Sequence, residues 1–196
     1  MAIDYGEYFN LAHIEPLSHI YGSGPRFVIW FQGCRLACPG CWNREMWSFS
    51  YEQKIHREIL LQRILAAPDI QGVTFLGGEP LHQSENLWWL IQQIRQHSDL
   101  TLFLFTGYEE DELVEQGNMQ KIEELCDIVA TGRFDGSKRN TQQQWIGSDN
   151  QKIHFPTNSR ERQPQKQQNE VEVIFSGDGS IRLLGFPDKK LTQIFK

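Results

Sequence analysis

Three of the four cysteines lie in one short segment, Cys34-Arg35-Leu36-Ala37-Cys38-Pro39-Gly40-Cys41, and the fourth, Cys126, lies far away. The segment directly follows residues 27–31, a continuous apolar run that predicts a strand buried on both faces. Thiols spaced C-x3-C-x2-C can surround a common centre, and sulfur ligands favour zinc or an iron–sulfur cluster. The chain must therefore fold so that a buried strand carries this loop to a metal site.

Two kinds of metal site fit these cysteines. A [4Fe–4S] cluster held by three thiolates leaves one iron without a protein thiolate, where a substrate can bind. A zinc site would need a fourth ligand from Cys126 or a histidine, but structural zinc sites usually use paired knuckles, and the sequence has no second C-x2-C and no H-x3-H. The spacing favours iron–sulfur, with zinc as the alternative. Cys126, at the end of an apolar helix, is expected to be a buried thiol without a ligand.

The apolar pattern predicts strands and helices in alternation: strands at 27–31, 72–76, 100–105 and 127–130, and helices at 51–66, 84–97 and 109–126, the last interrupted near Gly117 and Asn118. This order predicts an α/β protein with a mostly parallel sheet. A glycine-containing turn at 176–179 between two apolar runs predicts a C-terminal β-hairpin within 171–187.

The composition is that of one ordinary globular domain, with 196 residues, 39% hydrophobic and 22% charged residues and a net charge of −6. We expect a single domain over 1–196, with its core at about 10–155 and a polar loop region at 137–168. The acidic balance gives no indication of nucleic-acid or membrane binding. No signal peptide or membrane span is evident, so we expect a cytoplasmic protein, where clustered cysteines bind metal rather than form disulfides.

Three loops follow predicted strands: the cysteine loop, Gly77-Gly78-Glu79-Pro80 and Thr106-Gly107-Tyr108. The carboxyl ends of parallel strands meet at one edge of a sheet, so these loops are expected to converge. The two glycines permit strained backbone and the close approach of a ligand, and Pro80 fixes the direction of the chain beyond them. On its own, the glycine motif would indicate only an ordinary turn between a strand and a helix.

The combination of C-x3-C-x2-C after the first predicted strand with G-G-E-P after the second resembles radical S-adenosylmethionine (SAM) enzymes. Cys38-Pro39-Gly40-Cys41-Trp42-Asn43 is similar, more narrowly, to the activating proteins of anaerobic ribonucleoside-triphosphate reductase. Gly132-Arg133-Phe134 and Gly147-Ser148-Asp149-Asn150-Gln151 resemble further blocks of that family, and the similarity covers roughly residues 10–155.

The resemblance implies a partial (β/α) barrel of radical SAM type and an oxidoreductase. Cys34, Cys38 and Cys41 would hold a [4Fe–4S] cluster, at whose open iron SAM would bind and be cleaved reductively to a 5′-deoxyadenosyl radical. Gly77, Gly78 and Glu79 would hold the methionyl amino group. The full set of cofactor contacts that it implies is Trp42, Asn43, Gly77, Gly78, Glu79, Pro80, Thr106 and Tyr108, with Asn150 as a further candidate.

The implied protein partner is a glycyl radical reductase, and the implied electron donor is of flavodoxin or ferredoxin type. Two alternatives stay open: a radical SAM enzyme that modifies a peptide or small molecule, and a non-catalytic iron–sulfur or zinc module. Arg26 is interpreted either as a contact to SAM or a partner or as an ordinary structural residue. Trp88 and Trp89, within a predicted helix, are expected to belong to the core.

Overall fold

The computed structural model describes residues 3–161 and 169–194. Its strands are β1 Tyr8–Ser18, β2 Arg26–Phe31, β3 Gln53–His56, β4 Gly72–Gly77, β5 Thr101–Phe105, β6 Ile128–Thr131, β7 Lys152–His154, β8 Val171–Phe175 and β9 Ile181–Gly185. Its α-helices are α1 Arg57–Leu65, α2 Ser84–His97, α3 Glu110–Glu115, α4 Met119–Leu125 and α5 Lys189–Ile194. Short 3-10 helices cover Arg44–Trp47, Pro80–Gln83 and Gly136–Lys138.

The main sheet has seven strands in the order β3-β1-β2-β4-β5-β6-β7. Its centre, β2-β4-β5-β6, is parallel throughout, while β1, β3 and β7 pair antiparallel toward the two sides. The predicted α/β class with a mostly parallel central sheet is confirmed. The predicted C-terminal hairpin is confirmed too, as the antiparallel pair β8–β9, in which Phe175 faces Ile181.

The predictions differ from the structure mainly at the sides of the sheet. Residues 53–56 form strand β3 rather than the start of a helix, because they pair with β1, and His56 then caps α1 by accepting a hydrogen bond from the Glu58 N–H at 3.3 Å. No strand was predicted at the position of β1. Its pairing with β2 shifts in register near His13 and Ser18, and its apolar and polar residues therefore do not alternate regularly. The predicted interruption of the third helix is confirmed at Gly117, which has a φ of 69°.

Different elements pack on the two faces of the sheet. Helices α1 to α4 pack on one face, where buried side chains such as Leu60, Leu90 and Ile122 meet the buried residues of β2 and β4. On the opposite face, Leu184 of β9 packs against Val28, Trp30 and Leu76. Further along that face, Trp145 and Ile146 cover the residues of β5 and β6 that point the same way. This second face, roofed by the C-terminal hairpin and by loops, is the one that holds the site.

Arg26 lies at the amino ends of the parallel strands, away from the cysteine loop, and is fully buried. Its guanidinium donates to the hydroxyls of Thr74 at 2.7 Å and Thr101 at 2.9 Å, and to the carbonyl oxygens of Val73 and Thr101. It also lies 3.4 Å from the carboxylate of Glu161. Of the two interpretations of Arg26, the structural one therefore accounts for its contacts.

Other residues that the sequence assigned to the core are found there. Trp88 is buried and donates its indole N–H to Asn118 Oδ1 at 3.1 Å, and Trp89 is partly buried against the same core. Cys126 is buried, and burial raises the pKa of its thiol to about 12. Residues 162–168, part of the predicted polar loop region, lie outside the described residues. No helix in the described part of the chain has the length and apolar character needed to cross a membrane.

Candidate functional site

The cysteine loop leaves β2 and folds back on itself. The N–H groups of Gly33 and Cys34 donate to the carbonyl oxygens of Met46 and Trp47, at 2.8 and 3.1 Å. Within the loop, the Cys41 N–H donates to the Cys38 carbonyl oxygen at 3.0 Å. Gly33 and Gly40 have φ of 102° and 78°, in the region that side chains disfavour. These bonds make residues 33–47 one compact loop that presents its three thiols together.

The glycine motif is bonded directly to this loop. Gly78 N–H donates to Phe31 O at 2.8 Å and Glu79 N–H donates to Gly33 O at 3.0 Å. A Cβ on Gly78 would lie 2.5 Å from Gly33 O, which is too close for any side chain. The sequence suggested that this glycine lets a ligand approach; the structure shows that the backbone of the cysteine loop approaches it.

Glu79 joins the ends of β4 and β5. Its fully buried carboxylate accepts hydrogen bonds from the Thr106 hydroxyl at 3.0 Å, the Gly107 N–H at 2.8 Å and the Leu81 N–H at 3.0 Å. Burial raises the pKa of this carboxyl to about 7, against the opposing effect of its three donors. The hydrogen bond between the side chains of Thr106 and Glu79 thus links the loop after β4 to the loop after β5.

One cavity collects most of the predicted site residues: Cys34, Cys38, Cys41, Trp42, Asn43, Gly77, Gly78, Glu79 and Thr106. Asn43 also donates through Nδ2 to the Gly77 carbonyl oxygen at 3.3 Å, which links the residue after the cysteine motif to the glycine motif. Pro80 and Tyr108 do not line this cavity. Pro80 is buried at the start of a 3-10 helix, and the Tyr108 hydroxyl lies 3.4 Å from His82 Nε2.

The loop that follows β6 forms another wall, through Gly132 and Phe134. Gln151 pins this loop, because its Nε2 donates to Gly132 O at 3.1 Å while its Oε1 accepts from the Gly147 N–H at 3.0 Å. Asn150 donates to Arg133 O at 2.8 Å and does not line the cavity, unlike its neighbour Gln151. Asn150 therefore supports the wall, and its contact with a cofactor stays a prediction.

The C-terminal strap, residues 169–187, closes the cavity on its outer side with Asn169, Glu170, Gly185 and Phe186. The Phe186 ring lies 5.6 Å from that of Trp42 and 5.8 Å from that of Phe134, measured between centroids. Arg139 lies over the Phe186 ring at 3.9 Å and donates to Pro187 O at 2.7 Å. Sequence reasoning missed this wall because nothing in the sequence relates residue 186 to residue 42.

The apolar residues that line the rest of the cavity were also not assigned to the site: Tyr21, Trp30, Leu36, Trp47, Leu76, Phe105 and Trp145. The signal for Trp145 was a large aromatic residue directly after the polar stretch 141–144. Those on strands, such as Trp30 and Phe105, were predicted only as buried strand positions. Together they make the cavity mostly apolar, with the thiols and Glu79 on one side.

The donor set fits an iron–sulfur cluster. Burial raises the pKa of the Cys34 thiol to about 11, and burial together with Cys41 raises that of Cys38. A thiol binds iron as the thiolate, so cluster assembly releases these protons. Within residues 3–161 and 169–194, no group of three His, Cys, Asp or Glu side chains is placed to hold a single metal ion. A [4Fe–4S] cube binds each thiolate at a different iron, so its thiols need not converge on one ion, and all three cysteines of the loop line the same cavity.

Fold and site together define an α/β protein that presents a three-cysteine loop where parallel strands end. Residues 20–154 match the protein family described as 4Fe-4S single cluster domain. The chain is 33% identical over 156 residues to the anaerobic ribonucleoside-triphosphate reductase-activating protein of Haemophilus influenzae, an alignment that covers 74% of this chain and 97% of that protein. The proteins of the same description from Pasteurella multocida and Enterobacteria phage T4 are 31% and 30% identical, with 74% of this chain covered in both and 96% and 92% of the relatives.

The chain therefore belongs to the 4Fe-4S single cluster domain family, together with these activating proteins. The resemblance to the activating proteins of anaerobic ribonucleoside-triphosphate reductase is confirmed, and so is the [4Fe–4S] character of the domain. The matched family region ends at residue 154, so the C-terminal strap lies outside it.

Proposed function

We propose that this chain is a radical SAM enzyme that installs a glycyl radical on an anaerobic ribonucleoside-triphosphate reductase. One observation carries the proposal: the three-cysteine loop and the G-G-E-P turn are bonded backbone to backbone around one cavity. An electron-carrier cluster would need neither the turn nor the cavity. The reductase is proposed as the substrate because the relatives are described as activating proteins of anaerobic ribonucleoside-triphosphate reductase.

The finer fold assignment, a partial (β/α) barrel, draws support from the central sheet. Helices α1 to α4 cover one face of its four parallel strands, and antiparallel strands continue the sheet on both sides. A sheet that stays open in this way leaves room for a segment of another protein to approach the cavity.

In this proposal, Cys34, Cys38 and Cys41 hold the cluster. When bound, the cluster would supply the one electron that cleaves SAM into methionine and a 5′-deoxyadenosyl radical for hydrogen abstraction. Gly77, Gly78 and Glu79 would hold the methionyl amino group, and Asn43 fixes the Gly77 carbonyl group through its hydrogen bond.

The remaining predicted contacts divide between the cavity and its support. Trp42 and Thr106 would contact SAM from the cavity wall. Pro80 and Tyr108 do not line the cavity and would support that wall. The apolar wall, including Trp30, Leu76 and Phe105, would exclude water from the reacting atoms.

The proposed protein partner is a glycyl radical reductase, and the proposed electron donor is a flavodoxin- or ferredoxin-type protein of the cytoplasm. The C-terminal strap favours a second candidate, a radical SAM enzyme that modifies a peptide or a small molecule. The strap adds four residues to the cavity wall from outside the region that the chain shares with its family. Such an addition can change which substrate fits.

The test is anaerobic reconstitution with iron and sulfide, followed by dithionite and SAM, with 5′-deoxyadenosine measured by chromatography. We expect wild type to produce 5′-deoxyadenosine and Cys38→Ala to lose cluster absorbance and SAM cleavage together. Cys126→Ala is the matched control, since that buried thiol lies outside the cavity, and it should keep both.

Adding a candidate reductase then separates the substrates. A glycyl radical detected by electron paramagnetic resonance supports the activase, and 5′-deoxyadenosine without that radical supports the second candidate. If wild type carries a reducible cluster and yields no 5′-deoxyadenosine with or without reductase, the activase proposal is wrong. A Cys38→Ala variant that still cleaves SAM would refute the cluster assignment.

A further inference from the structure

The C-terminal strap differs from the other walls of the cavity in how it is attached. Its hairpin β8–β9 forms a two-stranded sheet of its own, with which no other strand in the described part of the chain pairs. Backbone hydrogen bonds tie the other walls to the main sheet, such as Gly78 N–H to Phe31 O and Thr106 N–H to Ala130 O, both at 2.8 Å. A segment outside such a ladder opens locally at a lower cost in free energy than the core does. The strap is therefore the wall that can move without disturbing the sheet.

Side-chain contacts attach the hairpin to the end of β1 and the residues that follow it. The Ser18 hydroxyl donates to the Glu172 carboxylate at 2.6 Å, and the Gly185 N–H donates to the Tyr21 hydroxyl at 2.7 Å. Neither contact involves Phe186, whose ring forms the outer wall of the cavity. That ring needs a separate attachment.

Arg139 provides this attachment. Its Cζ atom lies 3.9 Å from the centre of the Phe186 ring and 5.9 Å from that of Trp42, and its guanidinium donates to the Pro187 carbonyl oxygen at 2.7 Å. The Phe186 ring also rests on Gly147, where an added Cβ would lie 3.1 Å from the ring. A cation over an aromatic ring and a single hydrogen bond are each weak attractions, so this attachment can be released and formed again.

The two ends of the strap are tied to each other at the same place. Asn169 Nδ2 donates to the Phe186 carbonyl oxygen, and a Cβ on Gly185 would lie 2.5 Å from Glu170 O, so the two segments touch through their backbones. These four residues are the ones through which the strap lines the cavity. A contact that holds Phe186 and Pro187 therefore holds the whole strap wall.

We propose that Arg139 is a positioning residue that holds the strap as a lid, which opens to admit SAM and closes over it. The inference rests on the proposed function, which names SAM as the enclosed molecule. A closed lid excludes water from the place where the radical would form. The strap lies beyond the matched family region, which ends at residue 154, so the lid is an addition to the shared site.

Hydrogen–deuterium exchange, followed by mass spectrometry on the reconstituted, oxidised protein, measures lid opening without turnover. In wild type, we expect the amides of residues 181–187 to exchange faster than those of β4. SAM at about 100 times its Kd should slow the exchange of the strap by roughly tenfold or more, because bound SAM favours the closed lid.

Arg139→Met should speed the exchange of the strap roughly tenfold in the absence of SAM, because one cation–ring contact and one hydrogen bond are lost. The exchange of β4 should not change. Arg139→Lys keeps a cation and a donor and should lie between Arg139→Met and wild type. Lys138→Met is the matched control and should behave as wild type, since Lys138 pairs with Asp135 at 3.5 Å.

Equilibrium dialysis of the same samples measures SAM binding. If bound SAM leaves the exchange of the strap unchanged, or if the strap exchanges as slowly as β4, the strap is a fixed wall and the inference is wrong. Unchanged exchange in Arg139→Met would show that Arg139 does not hold the strap. A wild type that does not bind SAM would instead overturn the proposed function, while the exchange of the free variants would still decide the role of Arg139.

Discussion

At the scale of single residues, Glu79 shows how one side chain serves both the fold and the site. It is fully buried, and its carboxylate joins the glycine motif to Thr106 and Gly107 across neighbouring strands. The sequence predicted Glu79 as a site residue from its position after β4, and in the structure Glu79 lines the cavity. It could not show that the carboxylate is occupied by three donors from the protein, since these contacts depend on tertiary packing.

The raised pKa of Glu79 gives a testable dependence of stability on pH. The folded protein keeps the proton up to a pKa of about 7, whereas the unfolded chain releases it near 4.5. Stability from Glu79 is therefore complete below pH 4.5, falls as pH rises and is lost above about 7. The whole effect is on the order of 3 kcal/mol at most. In Glu79→Gln this loss of stability with rising pH should disappear.

Urea unfolding of the reduced, iron-free protein between these two pH values measures the effect as a difference from wild type. The difference is needed because burial lowers the pKa of His82 to about 4, which gives an opposite slope in both proteins. Glu115→Gln, at an exposed position of α3, should follow wild type. Identical pH slopes for wild type and Glu79→Gln would show that this carboxyl does not titrate in the range.

At the scale of elements, the site depends on two loops that touch through their backbones. Strands β2, β4, β5 and β6 were predictable because each is a continuous apolar run between two covered faces. That order alone predicted that the cysteine and glycine loops meet. The sides of the sheet were not predictable, because β3 and β7 each bury little and form by pairing with a neighbour.

Gly78→Ala tests the contact between the loops. The added Cβ would lie 2.5 Å from Gly33 O and 2.9 Å from Met46 O, both backbone atoms that cannot rotate away. We expect the loops to separate, with a loss of about 1–3 kcal/mol in the free energy of unfolding and less iron bound after reconstitution. Gly177→Ala, where nothing lies within 4 Å of the added atom, should change neither quantity. Full iron binding by Gly78→Ala would mean that the cysteine loop holds its shape without the glycine motif.

At the scale of the whole molecule, the two ends of the parallel strands differ in role: one end carries the site and the other carries a buried structural contact. The carboxyl ends carry the thiols, and the amino ends carry Arg26, which binds β4 and β5 together through Thr74, Val73 and Thr101. The sequence could not assign Arg26, because a lone arginine before a strand suits a ligand contact and a buried structural contact equally.

Arg26→Met should therefore lower stability and leave the site intact. Removing the guanidinium leaves the Glu161 carboxylate without its cation, with the Thr101 hydroxyl still donating to it, and takes one donor from the buried Val73 carbonyl oxygen. This should lower the free energy of unfolding by about 3–5 kcal/mol in a urea titration. Iron bound per folded molecule should equal that of wild type at low temperature. Arg63→Met, on the exposed side of α1, should be neutral in both measurements. A stable Arg26→Met protein that no longer binds SAM would show that Arg26 contributes to the site.

The position of the C-terminal strap also sets an order of events during synthesis. Chains emerge from the ribosome with their N-terminal side first and fold in that direction. The cysteine loop, the glycine motif and Gln151 all precede Phe186, whose ring packs on Trp42 and Phe134. On a nascent chain, the thiols are therefore made well before the wall that encloses them. Until the strap has been made, the side of the cavity that it covers is open to iron and sulfide.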